Sequence, residues 1–68
     1  MKMVSLTING EEKTLDVQTV SDVVAHYRLE KNLVVVELEG KIIERNDWEA
    51  TAVEAGMWIE LVHFVGGG

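Results

Sequence analysis

At 68 residues, 47% hydrophobic and 26% charged, the chain has the composition of a globular protein and room for one domain. A domain this small buries about 60% of the surface its unfolded chain exposes, which allows a modest core but not a deep cleft of the usual ~300–1,000 Å³ as well. The net charge of −6 argues against nucleic acid as a partner and suits either plain solubility or a basic protein partner.

Val4, Leu6 and Ile8 alternate with Met3, Ser5 and Thr7, the period of two of a half-buried strand. Asn9-Gly10 follows, a strong hairpin signal because both residue types accept the positive φ of a type I′ turn. The return strand runs through Lys13, Leu15 and Val17. A two-residue loop pairs Ile8 with Glu11, a four-residue loop pairs it with Lys13, and either register leaves Leu15 and Val17 on the face of Leu6. Thr19 then caps a helix, with Asp22 three residues on as a shortened capping box. Val20, Val23, Val24 and Tyr27 make one apolar stripe; three are valines, poor helix formers, so the helix depends on docking against a sheet. Leu29 packs as the chain leaves it.

Leu33 to Leu38 is a β-branched run that fits a central strand buried on much of both faces. Glu39-Gly40 makes a second tight turn, and Lys41-Ile42-Ile43 returns as a short strand. Asn46-Asp47 starts a turn or short helix carrying Trp48, a core or half-core residue, with Ala52 and Val53 beyond. Gly56 breaks the pattern. The last strand is expected over residues 58–65, with Ile59, Leu61 and Val65 on one face and Trp58, Glu60, Val62 and Phe64 on the other. The order is ββαββ, a short helical turn, then β. First and last strands can lie parallel in the middle with the helix across one face, a two-layer α+β arrangement.

The absence of cysteine excludes disulfides, thiolate metal sites and a cysteine nucleophile. No apolar run approaches the ~20 residues that span a bilayer, and Met1 to Ser5 carries no signal-peptide core, so a cytoplasmic protein without a membrane partner is expected. His26 and Asp22 stand one helical turn apart and suit a surface pair; His63 reads as a strand-edge residue. No metal site, phosphate loop, serine triad or carboxylate pair placed for acid–base work is expected.

Gly66-Gly67-Gly68 carries the chemistry that remains. Without side chains these residues form a thin strip able to thread a narrow channel and present a carboxylate to another protein. A carboxylate is a poor electrophile; activated as an acyl-adenylate, it can be converted by a sulfur nucleophile to a thiocarboxylate. Three glycines alone read better as a frayed end or an expression scar than as a working tail. Their place directly after an apolar final strand in a ββαββ chain favours a working tail.

Asn9-Gly10 after the first strand, Thr19-Val20 opening the helix, Arg45-Asn46-Asp47-Trp48 after the fourth strand and the ending Phe64-Val65-Gly66-Gly67-Gly68 together resemble the ThiS family of ubiquitin-like sulfur carriers. The resemblance covers essentially the whole chain. It departs at Gly56-Met57, where the family often has Gly-Asp; both fit a turn. The family implies a β-grasp fold over residues 1–65, a flexible tail of Gly66 and Gly67, and Gly68 as the site of adenylation and thiocarboxylate formation. It implies no cofactor of the chain's own, the ATP being used by a partner. It also implies a protein that is acted upon rather than an enzyme. The partners are an E1-like adenylating enzyme (ThiF), a sulfur donor enzyme and thiazole synthase (ThiG), in the route to the thiazole of thiamin. Trp58, Val62 and Phe64, with Val65 at the root of the tail, are the expected partner interface, unless neighbouring strands or the Trp48 segment cover them. The small subunit of molybdopterin synthase, a ubiquitin-like modifier and a plain β-grasp interaction module are the alternatives. Molybdopterin subunits tend to be longer and often carry proline before the tail, and this chain has no proline.

Overall fold

The computed structural model describes residues 3–64. Five strands, β1 (Met3–Ile8), β2 (Glu11–Asp16), β3 (Val34–Leu38), β4 (Lys41–Ile43) and β5 (Trp58–His63), form one sheet in the order β2-β1-β5-β3-β4. A single helix, α1 (Val20–His26), lies across one face. Two 3-10 segments, Lys31–Leu33 and Arg45–Ala50, complete the chain's regular structure among the described residues. This is the β-grasp arrangement, with β1 and β5 parallel at the centre and an antiparallel hairpin on either side.

Both hairpins close with two-residue loops. Ile8 pairs with Glu11, which settles the first register, and Leu38 pairs with Lys41 in the second. Asn9 and Gly10 have φ of 51° and 83°, Glu39 and Gly40 of 52° and 82°, so each turn places two consecutive residues in the left-handed region. That is the type I′ geometry whose twist matches the flanking strands.

The start of the helix follows from its sequence. The Asp22 N–H donates to the Thr19 hydroxyl at 3.2 Å, while the Asp22 carboxylate accepts from the Thr19 and Gln18 N–H groups at 3.2 and 2.9 Å. Three otherwise orphaned donors are thereby satisfied. Asp22 is thus committed to the cap rather than to the expected pair with His26, whose ring instead meets Tyr27 edge-on at 5.0 Å. The helix stops at Arg28, which takes φ 55°. Leu29 N–H then donates to the Val24 carbonyl and Arg28 N–H to the Ala25 carbonyl, the two bonds of a Schellman motif.

Val20, Val23 and Val24 are fully buried, and Tyr27 and Leu29 pack half-buried at the helix end. They meet the inward residues of the sheet: Val4, Leu6 and Ile8 of β1, Leu15 of β2, Val34, Val36 and Leu38 of β3, and Ile59 and Leu61 of β5. Trp48 closes one side of this core at 3% exposure, its indole N–H donating to the Ile43 carbonyl at 2.9 Å. The Arg45 guanidinium donates to the Asn32 side-chain oxygen. The Arg-x-x-Trp element thus braces the second hairpin against the helix layer.

Two expectations are corrected. Leu33 belongs to the 3-10 segment, and β3 is buried on one face only, its other face being half-buried. The central strand is β5, because β1 and β3 flank it. Among the described residues β5 ends at His63, and the Phe64 N–H still donates to the Leu33 carbonyl at 2.6 Å; the expected continuation to Val65 lies outside the described residues. No helix among the described residues is long and apolar enough to cross a membrane.

Candidate functional site

β5 is the last strand of the described chain, and it is held on both edges. On the β3 side it pairs from Ile59 to His63, with Val62 opposite Val35 and Glu60 opposite Glu37. The second turn adds a side-chain bond there. The Glu39 N–H donates to the Trp58 carbonyl at 2.9 Å and the Glu39 carboxylate accepts the Trp58 N–H at 2.7 Å. On the β1 side the register is short, Thr7 with Trp58 and Ile8 with Ile59. The Asn9 side chain extends it: Oδ1 accepts the Leu61 N–H at 2.7 Å and Nδ2 donates to the Leu61 carbonyl at 3.2 Å.

The face of the sheet away from α1 is open. Trp58, Val62 and Phe64 are 56%, 44% and 55% exposed, so neither neighbouring strands nor the buried Trp48 covers them. Ile42 of β4 is also exposed on this face, opposite Glu37. Among these apolar groups stands the Glu37–Glu60 cross-strand pair. Like charges directly opposite in a sheet are destabilising. Among the described residues neither carboxylate has an ion-pair partner; the one ion pair there joins Lys13 and Glu11 at 3.2 Å. This face therefore combines apolar groups that lack cover with acidic groups that lack a cation. No three His, Asp or Glu side chains among the described residues converge as metal ligands.

A model of the ThiS family matches residues 6–68, from the first strand through the final glycine. The chain belongs to the ThiS family. It is 37% identical over 65 residues to the sulfur carrier protein ThiS of Bacillus subtilis (strain 168), covering 93% of this chain and 98% of that one. The crystal structure of the thiamine biosynthesis protein ThiS from Geobacter metallireducens superimposes with a TM-score of 0.78 at 35% identity, covering 96% of this chain and all of that one. The solution structure of a thiamine biosynthesis protein from the same organism gives a TM-score of 0.81 at 33% identity, covering 96% and 88%.

Within this ThiS-family fold, Trp58, Val62 and Phe64 come together on one exposed surface. Val65, Gly66, Gly67 and Gly68, and with them the expected boundary between domain and tail, lie outside the described residues. His63 is exposed at the end of β5, apart from any triad or ligand cluster. Two features escaped the sequence reading: the acidic pair Glu37–Glu60, and the side chains of Asn9 and Glu39 as partners of β5. The first depends on the register between strands far apart in the chain. The second had a partial signal, since both residues open a two-residue turn next to a strand end.

Proposed function

We propose that this chain is a sulfur carrier of thiamin biosynthesis, acted upon by other proteins rather than an enzyme itself. The observation that carries the reading is the extent of the ThiS family match, which includes Gly68 and the glycines before it. In this reading the Gly68 carboxylate attacks the α-phosphorus of ATP in the site of an E1-like adenylating enzyme such as ThiF, releasing pyrophosphate. Hydrosulfide delivered by a donor enzyme then adds at the acyl carbon, expels AMP and loses its proton. The resulting thiocarboxylate gives its sulfur to a thiazole synthase such as ThiG. The chain needs no cofactor of its own, since ATP is bound by the partner. A cytoplasmic location, where these partners and ATP meet, goes with this reading, as does the lack of a role for nucleic acid or membrane. The matches to ThiS proteins favour the thiazole route over the molybdopterin one.

The open sheet face supports a docking role in the same reading. Trp58, Val62 and Phe64 supply the apolar contact beside the tail. Glu37 and Glu60 favour a partner that brings an arginine or lysine to the same surface, which relieves their mutual repulsion on binding. Incubation with the cognate E1-like enzyme, ATP and a sulfur donor tests the chemistry. The expected product is a thiocarboxylate, trapped by alkylation on sulfur and localised to the C-terminal peptide. Localisation matters because exchange of oxygen for sulfur changes the mass almost as oxidation of Met1, Met3 or Met57 does. Absence of both adenylate and alkylatable product, with an enzyme active on another carrier, overturns the reading.

A further inference from the structure

β1 and β5 share little backbone pairing. The Thr7 N–H donates to the Met57 carbonyl and the Asn9 N–H to the Ile59 carbonyl, each at 3.0 Å. Groups on this edge of β5 recur every second residue, at 57, 59 and 61. After Asn9 the chain turns away into β2, so no β1 backbone remains to meet Leu61. The Asn9 side chain fills that place, with one acceptor and one donor on the two polar groups of Leu61. A primary amide carries the same pair of functions as a peptide unit, so it serves as one more residue of β1.

We propose that Asn9 is a positioning residue for the activation of the C-terminal carboxylate, on the reading that the chain is a sulfur carrier. It holds Leu61 from the β1 side while β3 pairs with Val62 and Leu33 accepts from Phe64 on the other. The two-sided grip fixes the end of β5, from which the sequence runs on to Gly68. The turn itself does not require this residue. Gly and Asp also accept the φ of 51° found at position 9. Only an amide makes both bonds: aspartate keeps the acceptor for the Leu61 N–H but sets a charge against the Leu61 carbonyl, and glycine makes neither bond.

Loss of the two Asn9 bonds leaves the end of β5 held from the β3 side alone, so it frays more in the free chain. An end that frays must be ordered on binding, which raises KM rather than lowering kcat. The test uses the full chain with Asn9→Gly and Asn9→Asp, amide hydrogen exchange by NMR, and steady-state pyrophosphate release with the E1-like enzyme. For Asn9→Gly the Leu61 amide should exchange at least tenfold faster while the Val36 and Ile59 amides stay protected. The KM for the carrier should rise about tenfold with kcat within twofold, and Asn9→Asp should lie between. An unchanged Leu61 exchange rate in Asn9→Gly overturns the grip. A released Leu61 with unchanged KM, or a fall in kcat alone, overturns the positioning role and leaves a structural bond. If Asn9→Gly does not fold, Asn9→Asp decides alone: the Leu61 amide must exchange severalfold faster and KM must rise severalfold, and an unchanged KM overturns the proposal. A wild-type chain that is never adenylated overturns the carrier reading, and the positioning role with it, whatever Leu61 does.

Discussion

The two faces of the sheet are built from the same strands and face opposite requirements. Toward α1, Val36 and Ile59 are at most 1% exposed. On the other face of β5, Trp58, next to Ile59, and Val62, next to Leu61, stand in solvent at 56% and 44%. On β1 and β2 the open side carries Ser5, Thr7, Glu12 and Thr14, with the exposed Met3 as its one large apolar group among the described residues. On β5 and β4 it carries Trp58, Val62 and Ile42 around the Glu37–Glu60 pair. The covered face accounts for folding. The β5–β4 half of the open face holds groups that folding neither buries nor pairs, which is the pattern of a surface completed by another molecule.

Substitutions on the two faces should therefore separate stability from binding. The largest effect is expected at Val24, 1% exposed under the helix. Val24→Asp places an unpaired charge in the core, costs at least ~3 kcal/mol, and should leave a chain without a cooperative urea transition or near-UV circular dichroism. On the open face, Phe64→Ala should weaken binding to the adenylating partner about tenfold, by calorimetry, while moving stability by no more than about 0.5 kcal/mol. Unchanged affinity in a folded variant removes Phe64 from the interface. Thr19→Ala removes half of the capping box and should lower stability by about 1 kcal/mol in urea titration, with partner affinity unaltered. A small change of opposite sign is expected at Glu60. Glu60→Lys turns a repulsive cross-strand pair into an attractive one and should stabilise by roughly 0.2–1 kcal/mol, yet weaken binding to a cationic partner surface. A Glu60→Lys chain that binds as tightly as wild type breaks the assignment of the acidic pair to the partner.

Local chemistry made much of this legible in the residues. Asn9-Gly10 and Glu39-Gly40 marked both hairpins because a type I′ turn admits few residue types. Thr19 with Asp22 marked the helix start, and the valine spacing marked its buried side. The period of two in β5 put Trp58, Val62 and Phe64 on one face before any fold was known. What could not be read was non-local. The pairing of Glu37 with Glu60 and the reach of Asn9 to Leu61 require the strand order and register of the whole sheet. Arg28 at the helix stop was equally silent, since arginine is not a residue that ordinarily announces a left-handed conformation. Leu33 to Leu38 read as the centre of the sheet from its β-branched content alone, but burial on one face only demands apolar groups at every second position.

The placement of β5 has a consequence for synthesis. The strand that completes the middle of the sheet follows the other four along the chain, and its contacts reach back over 52 positions to Asn9. The two hairpins and the helix can form from neighbouring residues as they emerge, but they have no joint core until Ile59 and Leu61 arrive between β1 and β3. Long-range closure of this kind is slow compared with hairpin formation. A nascent chain arrested before Trp58 should therefore be digested readily by protease, whereas one released in full should resist. A chain cut before β5 therefore lacks both the joint core and the open face that carries Trp58 and Val62.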